Sequence, residues 1–277
     1  MTRTEFNPIL DSAQWDWYQA TISADNFEYL RPVLSKYFPN ADWRPDRPNN
    51  GYQFADALYI GSRRVLLACY GGNQDTCNLL STSSDGIALH AALVAWGGGF
   101  KPTRFDSCID WEEPGLFDTL SSSLIEFAKE KDLLVNHQGD WSRGKSRTLY
   151  IGSARSPVQI RLYEKGYEMQ GMDTTRPNWV RLEVQVRPAK KRRVAASAWK
   201  PADAFCCGWV SEAIERFFFI PHCHHPIGYE KTDTDRLRRR QWLFKVGARA
   251  LRELLEDHGG DTELFAREIV EAVSIDL

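Results

Sequence analysis

Two runs of alternating apolar and polar residues within residues 157–187 constrain the fold most strongly. Alternation with a period of two is typical of β-strands that bury one face, and the polar loop between the runs contains glycine and proline. The segment therefore predicts a strand–loop–strand unit with an apolar face packed on a core. The opposite face is expected to combine a phenol, an acid and several bases, which are the ingredients of phosphate chemistry: Arg161, Tyr163, Lys165, Arg181, Glu183 and Arg187.

The pentapeptide LYIGS occurs at residues 58–62 and again at residues 149–153, each time at the turn of a predicted hairpin. The order of predicted elements also restarts near residue 103. We therefore predict an α+β fold in which two duplicated β-α-β-β-β-α units form a largely antiparallel curved sheet, with helices on one face and a C-terminal helical extension. The expected divisions are a first repeat, a second repeat and the extension, over residues 1–100, 101–220 and 221–277.

The two repeats differ in chemistry. Both hairpins end near a tyrosine, so we align Tyr70 of the first repeat with Tyr163 of the second. The first repeat has no arginine two residues before its tyrosine, and its third strand has no counterpart of Glu183. We therefore predict that the first repeat is a scaffold that contacts DNA and that the second repeat is the catalytic half.

The formal net charge of -2 does not indicate a nucleic-acid-binding protein, but the basic residues are clustered. One run follows the predicted catalytic strands, and another lies on a helix predicted over residues 234–256. Because they accompany a presumed phosphodiester site, we predict that they contact DNA phosphates. These residues are Arg187, Lys190, Lys191, Arg192, Arg193, Arg236, Arg239 and Arg240.

The first ten residues contain no apolar segment of the kind found in signal peptides, and no apolar run is long enough to span a membrane. We therefore expect a cytoplasmic protein with no membrane partner. If the chain is encoded by a phage, the compartment would be the cytoplasm of the host cell.

Tyr163 lies on the predicted polar face between Arg161 and Lys165, whose positive charges are expected to favour the phenolate and lower the pKa of the phenol. If the hairpin pairs Tyr163 with Arg181, then Glu183 lies diagonally from it at roughly 7 Å. A tyrosine nucleophile, a metal-binding acid and phosphate-binding cations together predict a phosphodiester transesterification site.

Two further acids, Asp106 and Asp110, lie on the strand predicted for TRFDSCIDW and face the same side of it. Residues four apart on a strand are separated by about 13 Å, so both cannot easily hold one ion without a bulge. We expect one of them to join Glu183 as a ligand of Mg²⁺ or Mn²⁺ and the other to orient Lys165 or Arg181.

The ordered segments TRFDSCIDW, LYIGS, IRLYEKGYE and WVRLEVQVR resemble the replication initiation factor (Rep_trans) family. That family serves rolling-circle plasmids, filamentous phages and some conjugative elements. The resemblance extends over roughly residues 103–219, with weaker similarity upstream. It matches Tyr163 to the nicking nucleophile of the family and matches its acids to Asp106, Asp110 and Glu183.

The resemblance implies an initiator that nicks one strand of origin DNA at a specific site and later rejoins it. The enzyme would attach covalently to the 5′ phosphate through tyrosine and leave a 3′ hydroxyl as primer. Lys165, Arg161 and Arg181 would stabilise the negative charge that develops on the phosphate. Origin DNA is the implied partner, and a host helicase, a polymerase and a second copy of the chain are possible further partners.

Two alternative sites remain open from the sequence. The pair His222 and His224 within HCHH could hold a metal, as in another class of nickases, with Tyr229 as nucleophile. Alternatively, the cluster could bind Zn²⁺ through His222, Cys223 and His225, with Cys206 or Cys207, although the spacing matches no standard zinc module. Tyr167 is the reserve candidate for a second tyrosine near Tyr163.

Two alternative functions also remain open. The same duplicated sheet could belong to a DNA-binding regulator without catalytic activity, which would need the basic runs but neither Tyr163 nor a divalent ion. It could also belong to a relaxase for conjugative transfer, which would use the same chemistry on another substrate.

Overall fold

The computed structural model describes residues 8–72, 75–168, 175–218, 225–227 and 250–274. The chain divides into two compact units, Met1–Gly228 and Tyr229–Leu277. The first unit contains both predicted repeats. No helix in the described ranges combines the length and the apolar character that a bilayer span requires.

The first repeat begins after a short helix, α1 (Pro8–Asp11), and contains five strands and two longer helices. Its elements are β1 (Gln14–Ser23), α2 (Phe27–Tyr37), β2 (Asp42–Pro45), β3 (Phe54–Ile60), β4 (Arg63–Tyr70), β5 (Thr76–Thr82) and α3 (Ser84–Trp96). A 3-10 turn over Ala24–Asn26 leads into α2.

The second repeat has the same order of strands. Its elements are β6 (Lys101–Glu112), α4 (Leu116–Glu130), β7 (Val135–Asp140), β8 (Lys145–Ile151), β9 (Val158–Glu164), α5 (Lys165–Glu168) and β10 (Trp179–Val186). The chain then continues through 3-10 turns at Lys190–Arg192 and Pro201–Cys206 and through α6 (Arg193–Ala196) and α7 (Val210–Phe218).

All ten strands form one sheet in the order β2-β3-β4-β5-β1-β6-β10-β9-β8-β7. Every pair of neighbours is antiparallel, and the two repeats join through β1 and β6 at the centre of the sheet. The predicted α+β fold with a duplicated antiparallel sheet is therefore confirmed. Each repeat nevertheless has one strand more than predicted, because β2 and β7 were not recognised.

The two unrecognised strands are the edges of the sheet. β2 ends in Pro45, and proline is tolerated on an edge strand because its missing N–H faces away from the ladder. β7 contains mostly exposed residues and does not alternate between apolar and polar side chains. Neither strand therefore carries the pattern from which buried strands are recognised.

One hydrophobic core spans both repeats on the helical side of the sheet. Apolar residues of the two central strands, such as Trp15 and Phe105, are buried in it, together with Leu89 of α3 and Leu124 of α4. The aliphatic residues of the alternating runs, including Leu182, point into the same core. This burial fixes the register of the sheet, because a slip by one residue would turn the aliphatic side chains to the other face.

The residues of the two repeats that are equivalent in the strand pairing differ from those that the sequence predicts to be equivalent. Ala57 and Thr148 each precede a copy of LYIGS, and they pair with Leu67 and Tyr163 respectively. Leu67, rather than Tyr70, is therefore the counterpart of Tyr163. The prediction was wrong because the turn after LYIGS is short in the first repeat, where β4 starts at Arg63, and longer in the second.

The second unit is described from residue 250 onwards. Residues 250–257 are helical (α8), and α9 (Thr262–Ser274) follows after Gly259 and Gly260, which have φ angles of 62° and 83°. Oδ1 of Asp261 accepts hydrogen bonds from the backbone N–H groups of residues 263 and 264 at 2.9 and 3.1 Å, so Asp261 caps the start of α9. Arg236, Arg239 and Arg240 lie outside the described residues.

Candidate active site

The polar face of β9 and β10 brings three predicted side chains together. Tyr163 pairs with Arg181, and Glu183 lies diagonally from Tyr163, as the sequence predicts. The Tyr163 hydroxyl is 3.5 Å from Oε2 of Glu183, and Nη2 of Arg161 donates to the same oxygen at 2.5 Å. The Arg161 guanidinium also lies 4.7 Å from the centre of the Tyr163 ring. A phenol, a carboxylate and a guanidinium therefore converge at one point.

Arg181 is held between two carboxylates. It donates to Asp110 through Nε at 2.7 Å and Nη2 at 2.8 Å, and to Oδ1 of Asp16 through Nη1 at 2.6 Å. Its guanidinium is almost fully buried, so both ion pairs are shielded from water. Asp110 is therefore the strand acid that orients Arg181.

Asp16 is a member of the cluster that the sequence reading missed. In the pairing of β1 with β6, the register shifts between Trp15 and Trp17, so Asp16 is an extra residue. A bulge of this kind re-aims a side chain, and here it presents Asp16 to Arg181 on the polar face. The sequence offered one sign of its role, since Asp16 is the one acid in the strand QWDWYQATIS.

Asp106 and Glu183 are buried carboxylates on neighbouring strands, each with a relative exposure of 2%. Burial raises the pKa of Glu183 to about 7; the positive charge of Arg161 opposes this shift, and the negative charges of Asp106 and Asp16 add to it. Burial also raises the pKa of Asp106, against the hydrogen bonds from Arg104. Two buried carboxylates whose pKa values are both raised, one of them partly by the charge of the other, form a pair that a cation would stabilise.

The donor chemistry of this pair fits Mg²⁺ or Mn²⁺. Magnesium is usually bound through one or two carboxylates, with phosphate oxygens and water completing its shell. Among the residues that the structure describes, no group of three or more His, Cys, Asp or Glu side chains is arranged to hold a metal ion. Asp106 and Glu183 would share an ion with a substrate, although each already pairs with an arginine, Arg104 and Arg161 respectively. Asp110 pairs with Arg181.

The expected lowering of the Tyr163 pKa is wrong. Burial raises the pKa of the phenol above its ordinary value, the charge of Glu183 adds to the rise, and Arg181 and Arg161 oppose it. The cations do not prevail because Glu183 pairs with Arg161, and Asp110 and Asp16 pair with Arg181. Tyr163 lines a cavity of about 240 Å³ together with Arg161, Arg147, Tyr150 and other residues of β8 and β9.

Lys165 and Tyr167 lie on α5 and not on a strand, because β9 ends at Glu164. Nζ of Lys165 is 5.5 Å from the centre of the Tyr163 ring, so the lysine remains beside the phenol. Tyr167, the reserve candidate, would share the face of Tyr163 if β9 continued past Gly166, but the chain is helical there.

The basic run after β10 separates into two parts. Arg187 follows the strand directly, and its Nη1 donates to the backbone oxygen of Ala154 at 2.9 Å. Lys190, Lys191, Arg192 and Arg193 follow on a 3-10 turn and on α6, whose Ala196 packs in the core on the helical side. Arg187 is thus the member of this run that continues the polar strand face.

The alternative metal cluster is described only at its end. Nε2 of His225 is 3.0 Å from Oδ1 of Asp203, and its ring stacks on Trp199 with centroids 4.8 Å apart. Cys206 is disulfide-bonded, and Cys207 is buried with Sγ 3.4 Å from a backbone oxygen. His222, Cys223, His224 and Tyr229 lie outside the described residues. The described members are therefore engaged in contacts within the protein.

The comparisons with known proteins agree with this architecture. The model of the family Rep_trans, described as replication initiation factor, matches residues 119–215, a range that includes Tyr163, Arg181 and Glu183. The fold is similar to that of the rolling circle replication initiator protein from Geobacillus stearothermophilus, with a TM-score of 0.51 and 21% identity over 76% of this chain and 84% of that chain. No curated protein matches the sequence significantly. The resemblance read from the sequence is thus confirmed.

Proposed function

We propose that the chain initiates rolling-circle replication by nicking and rejoining one strand of origin DNA through a bond between Tyr163 and a 5′ phosphate. The observation that carries this proposal is the convergence of the Tyr163 hydroxyl, Arg161 and Glu183 within 3.5 Å. The first repeat has Leu67 and Leu80 where the second has the paired Tyr163 and Arg181. The pair of Tyr163 and Arg181 therefore has no polar counterpart at the equivalent strand positions of the first repeat.

In the proposed nicking step, Oη of Tyr163 bonds to the phosphorus, and the bond from phosphorus to the 3′ oxygen breaks. The phenolic proton passes to Glu183, its nearest acceptor, and the leaving 3′ oxygen takes a proton from water. Rejoining is the reverse, in which a 3′ hydroxyl attacks the phosphotyrosine and releases the phenol.

The positive residues of the cluster support this chemistry through hydrogen bonds and charge. Nε of Arg161 is buried and has no hydrogen-bond partner among the described residues, so it is a donor available to a phosphate oxygen. Arg181 and Lys165 add positive charge beside the phenol and oppose the negative charge of the transition state. Asp106 and Glu183 would hold Mg²⁺ or Mn²⁺, which would supply further neutralisation of the phosphate charge.

The proposal includes origin DNA as substrate, because a basic and polar sheet face leads away from the cluster. Arg187 continues this face, and Lys190, Lys191, Arg192 and Arg193 follow it in the chain. The predicted contacts of Arg236, Arg239 and Arg240 are part of the same proposal.

The test is a nicking assay on supercoiled DNA that carries the replicon encoding the chain, with Mg²⁺ or Mn²⁺. The wild-type protein is expected to produce relaxed circles with protein attached to the 5′ end. Tyr163→Phe should bind the DNA equally well but lose nicking by at least about a thousandfold, as expected for removal of a nucleophile. Equal nicking by this variant would place the nucleophile elsewhere, and binding without nicking by the wild type would favour the regulator.

A further inference from the structure

A second polar cluster lies beside the carboxylates on the same face of the sheet. We call it the Trp17 patch and define it as Trp17 on β1, Arg104 on β6, Gln185 near the end of β10, and Arg187, which directly follows β10. Asp106 joins the patch to the active site, because it pairs with Trp17 on one side and with Gln185 on the other. The patch therefore begins where the candidate metal ligands end.

The patch holds two positive charges close together. Arg104 pairs with Asp106, and its guanidinium lies 4.2 Å from the centre of the Trp17 ring. Arg187 forms no ion pair in the described part of the chain. Burial and the charge of Arg104 lower its pKa, and the charge of Asp106 opposes them. Like charges on neighbouring strands destabilise a sheet, so an anion bound between them would relieve the repulsion.

The same patch contains hydrogen-bond donors that the protein does not use. Nε1 of Trp17 and Nε2 of Gln185 are buried without a hydrogen-bond partner among the described residues. A buried donor without a partner costs about 1–3 kcal/mol, so a ligand with acceptor oxygens would be favoured. Two guanidiniums and two unused N–H donors match the phosphate of a nucleotide, and the indole with the Arg104 guanidinium stacked on it offers a planar contact to its base.

We propose that the Trp17 patch binds the nucleotide on the 5′ side of the nick, whose 3′ oxygen is the leaving group. This inference rests on the proposed function. Tyr163 attacks from β9, and Glu183 lies on β10, so the reacting phosphate lies between Tyr163 and the central strands. Attacking and leaving oxygens are roughly in line in phosphoryl transfer, which directs the leaving 3′ oxygen towards β6 and β1.

This arrangement gives the two ends of the nicked strand different restraints. The 5′ end is held by its covalent bond to Tyr163, whereas the 3′ end is held by non-covalent contacts with the patch. The patch therefore determines how long the 3′ hydroxyl remains in place for rejoining. A variant of the patch should weaken capture of a 3′-hydroxyl strand more than it weakens nicking.

The experiment separates rejoining from nicking. An oligonucleotide with a short upstream flank is nicked so that the upstream piece dissociates and the covalent complex accumulates. A labelled acceptor strand with a 3′ hydroxyl is then added, and the joining rate is measured against acceptor concentration. Trp17→Ala is expected to raise the half-saturating acceptor concentration by about tenfold, with a maximal rate like that of the wild type. Arg187→Gln should raise it as well and reduce its dependence on salt.

Matched controls come from the first repeat. Arg44 donates from Nη1 to the backbone oxygen of Gly61 at 3.0 Å, much as Arg187 donates to Ala154, and Trp43 lies 4.5 Å from the guanidinium of Arg31. Arg44→Gln and Trp43→Ala should leave acceptor capture unchanged. If Trp17→Ala does not fold, Trp17→Phe keeps a ring and removes the donor. Unchanged capture by Arg187→Gln and by the foldable Trp17 variant overturns the inference, whereas absence of a covalent complex in the wild type overturns the proposed function.

Discussion

Asp16 accepts a hydrogen bond from Nη1 of Arg181 at 2.6 Å, although the two residues belong to different repeats. The contact exists because β1 and β6 pair at the centre of the sheet and because a bulge turns Asp16 to the polar face. The first repeat therefore contributes an acid to the cluster of the second.

Removal of this acid is the first prediction. Asp16→Asn should lower the free energy of unfolding by about 1.5–3 kcal/mol, the range for a hydrogen bond between charged groups, because Arg181 is almost fully buried. Urea unfolding measures the change. The control Asp42→Asn removes an acid whose pair with Arg44 is exposed and should have little effect. Equal stability of wild type and Asp16→Asn would show that Asp110 alone satisfies Arg181.

The second prediction concerns pH and Glu183. Because burial raises the pKa of Glu183 from 4.5 to about 7, the folded protein binds this proton more tightly than the unfolded chain. The stability that this group contributes is therefore complete below pH 4.5 and is lost as the pH rises through 7. Glu183→Gln cannot ionise, so its stability relative to the wild type should increase by roughly 1–3 kcal/mol from pH 4.5 to pH 8. Urea unfolding with a chelator present tests this, and an equal difference at both pH values would contradict it.

The third prediction concerns divalent ions. If Asp106 and Glu183 hold the ion, saturating Mg²⁺ or Mn²⁺ should raise the melting temperature of the wild-type protein. At an ion concentration of 100 times Kd, the free energy of unfolding should increase by about 2.7 kcal/mol. The increase should be larger at pH 8 than at pH 5, because binding requires deprotonated carboxylates. Asp106→Asn and Glu183→Gln should abolish it. Asp110→Asn is the matched variant that should retain it, and equal loss in all three variants would contradict the assignment.

The fourth prediction concerns Gly139 in β7. Its φ of +88° is unfavourable for other residues, and an added Cβ would lie 1.9 Å from the backbone oxygen of Ser146 on the paired strand. Gly139→Ala should therefore separate β7 from β8 locally and increase amide exchange there. Gly51→Ala is the control, since Gly51 has a similar φ of +79° but no atom within 4 Å of the added Cβ. Equal amide exchange of β7 and β8 in both variants would show that the hairpin accommodates the added Cβ without losing stability.

The sequence predicts the central part of the site because the period of two fixes which side chains share a face. Tyr163, Arg181 and Glu183 follow from alternation and from one assumption about pairing, which the register confirms. Alternation cannot predict Asp16, because a bulge is a local departure from that period. It also cannot predict the direction of the Tyr163 pKa shift, which depends on the burial of the phenol and on the carboxylates that partner each cation.

The alignment of the two repeats is also only partly predictable from the sequence. LYIGS identifies the duplication, but the loop that follows it differs in length, so counting along the chain pairs Tyr163 with Tyr70 instead of Leu67. Strand pairing is insensitive to loop length and gives the correct equivalence. The edge strands β2 and β7 were missed for a related reason, since exposed edges need no apolar pattern.

The contact between Asp16 and Arg181 also bears on how duplicated chains of this kind exchange parts during evolution. A recombination event between the repeats would combine the second repeat of one protein with the first strand of another. The hybrid would inherit its acid for Arg181 from a different parent than the arginine itself. The two halves of the duplicated chain are therefore expected to descend together.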